Sequence, residues 1–193
     1  MSNFEQAMYT IFFQEGRFSN DKADPGGATD YGISLRFLRS IGDLDKDGYP
    51  DGDINRDGDI NVEDIRALDK TKAKDLYHRY FWLPNRYSEI ADQRCATKIF
   101  SLAVSIGSLN ANKVAQVACR ATIGLQLYVD GVMGLKSITA LNMANPDVLY
   151  AVLKMGSACF YQKVRLKDGN ERKYIKGWLN RAYSEVITNV SVK

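Results

Sequence analysis

Three polar side chains near the start of the chain could together carry out acid–base chemistry on a glycosidic bond. Glu15 closes an apolar, helical stretch, Asp24 follows nine residues later, and Thr29 five residues after that. A helix dipole disfavours negative charge at its carboxyl end, so this position favours the protonated Glu15 that a general acid requires. If Asp24 and Thr29 lie across a cleft from Glu15, their carboxylate and hydroxyl would position or deprotonate water. The same residues also fit an exposed Glu15 and an Asp24 that only forms a turn.

Residues 53–64 have the spacing of a calcium-binding loop. Oxygen-bearing side chains stand at loop positions 1, 3, 5, 9 and 12, and glycine stands at position 6, where the chain must turn sharply. The run resembles the calcium loop of dockerin modules more than a standard EF-hand, because position 12 is aspartate. The other interpretation is a solvated acidic turn. The predicted ligands are Asp53, Asn55, Asp57, Asp59 and Asp64.

A similar run stands just upstream, and its ability to form a second calcium site is left open by its proline and short spacing. Its acidic residues are Asp43, Asp45, Asp47 and Asp51. Residues 43–69 together contain ten acidic and three basic residues, a net charge of −7, so the rest of the chain carries +10. A basic body suggests an anionic polymer as partner, such as nucleic acid or bacterial cell wall. Charge alone equally fits a protein without a polymer partner.

The composition and periodicity predict a mainly α fold that positions these residues. With 45% hydrophobic and 25% charged residues among 193, the chain is not predicted to be disordered, and no apolar run approaches the roughly 18–20 residues of a membrane span. Residues 17–33, rich in glycine and turn formers, predict a small irregular or β lobe after the first helix. Helices are predicted at 4–15, 35–41, 71–83, 94–106, 110–123, 137–143, 146–167 and 172–188.

A first motif consists of Glu15-Gly16, followed by Asp24-Pro25-Gly26-Gly27-Ala28-Thr29-Asp30-Tyr31-Gly32-Ile33-Ser34. This motif resembles the signature of glycoside hydrolase family 108, a family of N-acetylmuramidases also labelled secretion activator proteins. The match continues through Ala73-Lys-Asp-Leu-Tyr77 and Tyr80-Phe81-Trp82. The second half is similar to the peptidoglycan-binding segment that accompanies the family, at Ala103-Val104-Ser105-Ile106-Gly107, Asp130-Gly131-Val-Met-Gly134 and Gly177-Trp178. The resemblance covers nearly the whole chain.

The resemblance implies a lysozyme-like fold with Glu15 as catalytic acid, Asp24 and Thr29 as helpers, and Tyr31 and Ser105 in substrate binding. Ser105 departs from the asparagine usual at its position, and Arg17 stands where a second glycine is usual. The predicted organisation is a lysozyme-like catalytic part over residues 1–93, with the calcium-loop insert at 43–69. A helical peptidoglycan-binding part over residues 94–193 packs into the same globule.

The resulting hypothesis is a peptidoglycan hydrolase that cleaves the β-1,4 bond between N-acetylmuramic acid and N-acetylglucosamine. It needs no cofactor for catalysis, and Ca²⁺ is expected to be structural. The alternatives are a lytic transglycosylase acting on the same bond and a non-catalytic, calcium-dependent wall-binding or adaptor module. We expect peptidoglycan as partner, no nucleic acid and no stable membrane insertion. The start of the sequence lacks a secretory signal, so we expect cytoplasmic synthesis. The family resemblance implies release by a holin or by another secretion route, followed by action on the cell wall.

Overall fold

Helices make up most of the described chain, which confirms the mainly α prediction. The computed structural model describes residues 1–15, 18–20, 27–168 and 175–187. It divides into two compact units: a small unit of residues 12–77 and a large unit of residues 1–11 and 78–193. Among the described residues, no helix is both long and apolar enough to cross a bilayer. The predicted division near residue 93 stays a prediction.

The described part of the small unit contains a short β-hairpin followed by three helices. Its strands are β1 (Thr29–Asp30) and β2 (Ile33–Ser34), which pair antiparallel, and its helices are α2 (Leu35–Ser40), α3 (Val62–Ala67) and α4 (Lys70–Tyr77). The hairpin confirms the small β lobe that was predicted after the first helix. The acidic segment 41–61 joins α2 to α3 without regular secondary structure. Buried apolar side chains, among them Leu38, Ile65 and Leu76, form the core of this unit.

Within the residues that the structure describes, the regular structure of the large unit is entirely helical. Its elements are α1 (Phe4–Gln14, which continues into the small unit), a π-helix (His78–Trp82), a 3-10 helix (Tyr87–Glu89), α5 (Gln93–Ile106), α6 (Ser108–Ile123), α7 (Leu135–Met143), α8 (Pro146–Asp168) and α9 (Ile175–Tyr183). Helix α5 packs against α6 and α8, and α8 also packs against α9. Phe4, Trp82, Tyr87 and Phe100 form an aromatic cluster, in which the Trp82 and Phe100 rings meet edge to face at 5.3 Å.

A buried polar network holds the segment between α6 and α7 in the large unit. The Asn112 side-chain amide donates to the Gly131 carbonyl (2.9 Å), and the Gly131 N–H donates to Gln116 Oε1 (2.8 Å). Gln116 also donates to Asp130 (2.8 Å), and this hydrogen bond is the main reason why the pKa of Asp130 is lowered. Tyr87 donates to Asn112 Oδ1 at 2.8 Å. Side chains of α6 therefore hold this segment in place. They also give the buried polar groups the hydrogen-bond partners that such groups require.

A buried lysine of α5 caps the carboxyl end of α9. The Lys98 ammonium donates to the carbonyls of Arg181 (2.8 Å) and Ser184 (3.2 Å) at the end of α9. Burial, followed by the nearby charge of Lys154, lowers the pKa of Lys98 to about 8. Cations near a helix carboxyl end are favourable, so this lysine caps α9.

Candidate active site

Glu15 directly follows α1 and is half-buried in the small unit. The helix forms because Ala7, Met8 and Ile11 recur at helical spacing, and all three are buried. The last turn of α1 contains no basic residue. No cation on the helix itself therefore offsets the negative end of its dipole beside the Glu15 carboxyl.

The turn of the hairpin is a tight, two-residue connection. Asp30 pairs with Ile33, which leaves only Tyr31 and Gly32 between the strands. Both turn residues are left-handed, with φ values of 48° and 78°. This is the type I′ geometry that two-residue hairpins favour, and a left-handed tyrosine is strained in it. The strain requires support from the surroundings.

Glu15 rests on this turn at Gly32. A Cβ atom built on Gly32 would lie 2.6 Å from Glu15 Cγ, 2.8 Å from Glu15 Cδ and 2.7 Å from the Tyr77 hydroxyl oxygen. Real Cβ atoms do not approach other atoms so closely, so a larger residue at position 32 would displace the Glu15 side chain or the Tyr77 hydroxyl. The Tyr77 hydroxyl also donates to the Tyr31 carbonyl at 2.9 Å. The acid, the turn and the buried tyrosine thus share one small volume.

Thr29 lies on β1, immediately before the turn. Its hydroxyl donates to the Gly27 carbonyl at 3.2 Å, and its backbone N–H and C=O both pair with Ser19 at 2.8 Å. With its one proton used in this way, the Thr29 hydroxyl oxygen still has lone pairs with which to accept from water. Asp24, the other predicted helper of Glu15, lies outside the described residues.

Tyr31 and Ser105, the two predicted substrate-binding residues, lie in different units. The Tyr31 side chain is half-buried, and its ring contacts the Phe12 ring edge to face at 5.9 Å. Ser105 lies on α5 in the large unit, where its hydroxyl accepts a hydrogen bond from Tyr161 at 2.8 Å. The Tyr161 ring stacks on Trp178 at 5.5 Å.

The upstream acidic loop (residues 43–51) gathers its carboxylates around its own backbone. The Asp47 N–H donates to Asp43 Oδ1 (3.1 Å) and Asp45 Oδ1 (3.3 Å), and the Gly48 N–H donates to Asp43 Oδ2 (2.9 Å). Oxygen atoms of Asp43, Asp45 and Asp47 lie within 4.8 Å of one another, the one such acidic group of three in the described part of the chain. Asp51 Oδ2 accepts from the Leu44 N–H at 3.1 Å.

The downstream acidic loop (residues 53–64) repeats the same pattern ten residues later. The Asp57 N–H donates to Asp53 Oδ1 (3.1 Å) and Asn55 Oδ1 (3.0 Å), and the Gly58 N–H donates to Asp53 Oδ2 (2.9 Å). Asp59 Oδ1 accepts from the next N–H along the chain, at 2.8 Å. The two loops therefore have equivalent backbone conformations, although the sequence favoured only the downstream loop as a calcium site.

Asp64 ties the downstream loop to the start of α3. Its Oδ1 accepts from the N–H groups of Ile54 (2.8 Å) and Asn55 (3.2 Å), and its Oδ2 accepts from the Asn61 N–H (2.8 Å). Asn61 and Asp64 form a capping box for α3. Asp64 is fully buried, so both of its oxygens are engaged by the backbone of the loop.

Residue type and spacing alone assign no role to Gly32, Tyr77 or Asp30. Asp30 is buried, and its carboxylate accepts from the Tyr31 N–H at 2.9 Å. A two-residue turn ending in glycine is a recognisable hairpin signal, and it could have pointed to Gly32. Tyr77 has the spacing of an ordinary core residue on its helix, so no local signal distinguishes it.

A solved structure shares the fold. The structure of SagA from Brucella abortus matches with a TM-score of 0.67 and 22% sequence identity, over 98% of this chain and 98% of that chain. None of the curated proteins compared with the chain matches it. The likeness extends over nearly the whole of both chains, so the two proteins share one mainly helical fold.

Two family models together match most of the sequence. Residues 110–183 match a family described as a predicted peptidoglycan domain. Residues 8–107, which include the hairpin and both acidic loops, match the glycosyl hydrolase 108 model. That match covers more than half of the chain and includes Glu15, Thr29 and Ser105. The chain belongs to glycosyl hydrolase family 108, with a peptidoglycan-binding type of domain in its second half.

Proposed function

We propose that the protein is an N-acetylmuramidase that hydrolyses the β-1,4 bond between N-acetylmuramic acid and N-acetylglucosamine. Membership of a glycosyl hydrolase family and the peptidoglycan domain support a peptidoglycan hydrolase. The observation that carries the finer proposal is the placement of Glu15. This residue follows the end of α1, and its side chain packs onto the hairpin turn at Gly32. A carboxyl fixed in this way can deliver a proton to one defined oxygen.

In the proposed reaction, Glu15 is the general acid. Its proton passes to the glycosidic oxygen as the bond from that oxygen to the anomeric carbon breaks. A water molecule adds its oxygen to the anomeric carbon and releases a proton, for which Asp24 is the proposed acceptor. Thr29 helps to position this water, because its hydroxyl already donates to the Gly27 carbonyl and offers its oxygen as an acceptor. Tyr31 and Ser105 are proposed to contact the glycan.

The test is the clearing of purified peptidoglycan by the wild type, Glu15→Gln and Glu63→Gln. Glu63 is a matched control, because it is an exposed glutamate of the small unit whose carboxylate pairs with Arg66. We expect clearing with new reducing muramic ends from the wild type and Glu63→Gln, and none from Glu15→Gln. Anhydro ends would identify a lytic transglycosylase instead. Binding to the wall without clearing by the wild type would identify a non-catalytic module.

We also propose that the acidic loops bind Ca²⁺ in a structural role. Ca²⁺ takes about six to eight oxygen ligands in flexible geometry, and each loop supplies a set of oxygens closely spaced along the chain. The upstream set is Asp43, Asp45, Asp47 and Asp51, and the downstream set is Asp53, Asn55, Asp57, Asp59 and Asp64. The convergence of the first three carboxylates within 4.8 Å supports the upstream site. The matching hydrogen-bond pattern supports a similar downstream site.

The calcium proposal is tested by counting bound ions in the purified protein after equilibration with Ca²⁺. We expect two ions per chain, and one each for Asp43→Asn and Asp53→Asn. Two ions in both variants, or none in the wild type, would contradict the proposal.

A further inference from the structure

Tyr77 is a buried tyrosine whose hydroxyl reaches the hairpin turn. It is the last residue of α4, and only 1% of its surface is exposed. Its hydroxyl donates to the Tyr31 carbonyl at 2.9 Å, across 46 residues of sequence. The ring belongs to the core of the small unit, whereas the hydroxyl serves the turn.

The turn residue that Tyr77 holds is strained and is supported on both sides. Tyr31 has φ of 48°, a conformation that non-glycine residues adopt only when the surroundings impose it. Its N–H donates to the Asp30 carboxylate (2.9 Å), and its C=O accepts from Tyr77. Removal of one support takes a hydrogen bond from a part-buried backbone group, and the turn can then relax.

The Glu15 side chain depends on the position of this turn. Glu15 Cγ and Cδ and the Tyr77 hydroxyl all lie within 2.8 Å of the point where a Cβ of Gly32 would stand. The Glu15 side chain is thus packed onto the backbone of the residue that follows Tyr31. A shift of the turn would remove the surface against which the carboxyl is held.

We propose that Tyr77 is a positioning residue for Glu15, which acts by fixing the Tyr31-Gly32 turn against which the acid packs. The inference rests on the proposed role of Glu15 as general acid. Misplacement of a reacting group by about 1 Å can cost about 10²-fold in rate, so the loss of the hydroxyl should appear in kcat.

The experiment compares Tyr77→Phe with Tyr87→Phe on a soluble β-1,4-linked N-acetylglucosamine–N-acetylmuramic acid oligosaccharide. Tyr87 is a matched control, since it is equally buried and donates one hydrogen bond, to Asn112 in the large unit. Both substitutions keep the ring and remove one hydroxyl. We expect Tyr77→Phe to lower kcat by about 10–100-fold with KM within about 2-fold of wild type. Tyr87→Phe should keep the wild-type kcat. Its Tm should fall by about as much as the Tm of Tyr77→Phe, because each variant loses one buried hydroxyl.

Wild-type kcat in Tyr77→Phe, or an equal loss in both variants, would overturn the inference. Rates are expressed per folded molecule, with the folded fraction measured by circular dichroism at the assay temperature. Asp30→Ala removes the other support of Tyr31 and provides a second variant, for which the same loss in kcat is expected. Retention of kcat in that variant, if Tyr77→Phe does not fold, would overturn the inference too.

Glu15→Gln in the same assay separates the two proposals. An active Glu15→Gln would mean that the proposed acid is wrong, whatever Tyr77→Phe does. An inactive Glu15→Gln together with a fully active Tyr77→Phe would contradict only the positioning role.

Discussion

The hairpin turn and the acidic loops use the same backbone device for different ends. In each, a non-glycine residue is left-handed: Tyr31 in the turn, and Lys46 and Arg56 in the loops, with φ values of 48°, 60° and 63°. In the hairpin, the neighbouring glycine is required by space as well as by φ, because Glu15 packs on it. In the loops, a Cβ on Gly48 or Gly58 would meet no other atom within 4 Å.

This difference separates a turn built to hold a reactive side chain from turns built to hold carboxylates together. In the hairpin, the tight packing at Gly32 holds a single acid, Glu15. The loops direct backbone N–H groups at their own aspartates, as in the paired bonds from Asp47 and Gly48 to Asp43. We therefore expect changes in the hairpin to affect catalysis and changes in the loops to affect stability and calcium binding.

The largest effect is expected from the acid itself. Glu15→Gln should lower the turnover of peptidoglycan by about 10²–10⁴-fold, the usual contribution of a general acid, with little change in Tm. Asp59→Asn in the downstream loop should leave turnover unchanged. Measurement of reducing-end release and thermal unfolding on the same samples checks both. A comparable loss of turnover in the loop variant would remove the distinction between the two regions.

The next effect compares two left-handed glycines. Gly32→Ala introduces a Cβ into a strained backbone and against Glu15, so both turnover and stability should fall. Gly58→Ala meets no neighbour, so it should cost only the left-handed strain, about 1 kcal/mol, and keep full turnover. Chemical denaturation and turnover assays on both variants provide the measurement. Full activity in folded Gly32→Ala would mean that the packing of Glu15 on the turn is not needed.

A smaller effect is expected from calcium. Binding to the folded state alone stabilises it by about 2.7 kcal/mol at a free concentration of 100 times Kd. Addition of Ca²⁺ should therefore raise Tm, and a chelator should reverse the change, without altering kcat at temperatures well below Tm. A kcat that depends on Ca²⁺ under those conditions would connect the loops to the chemistry and contradict the comparison.

The smallest effect concerns the buried carboxylate of the downstream loop. Asp64→Asn replaces an oxygen that accepts from the backbone with an amide that donates, so in chelator it should lose about 1–2 kcal/mol of unfolding free energy. Asp59→Asn, at an exposed position, is the control and should lose much less. Equal stability of the two variants in denaturant titrations would show that Asp64 does not anchor α3.

Much of the fold could be predicted because its signals are local. Apolar periodicity predicted α5, α6 and α8 to within about two residues at each end, and Asn145-Pro146 correctly marked the start of α8. The helix that begins near residue 71 was predicted to run to Pro84. The α-helical part, α4, instead ends at Tyr77. The chain continues as a π-helix, and the Leu83 N–H donates to the His78 carbonyl at 3.0 Å.

The arrangement around the acid could not be predicted in the same way. Glu15 and Thr29 could be singled out by their residue types and by the motif in which they stand. The hydrogen bond from Tyr77 to Tyr31 and the close approach at Gly32 arise from tertiary packing between distant segments. The matching hydrogen-bond pattern of the two acidic loops was not predicted either, because Tyr49-Pro50 makes the upstream run look different from the downstream one.

The most direct test of the central claim is to digest peptidoglycan in oxygen-18-labelled water and analyse the products by mass spectrometry. If Glu15 is the acid of a hydrolase, the wild type should place one labelled oxygen at each new reducing muramic end, and Glu15→Gln should release almost no product. Products that are one water lighter and unlabelled would contradict hydrolysis. Labelled ends produced by Glu15→Gln at the wild-type rate would contradict the role of Glu15.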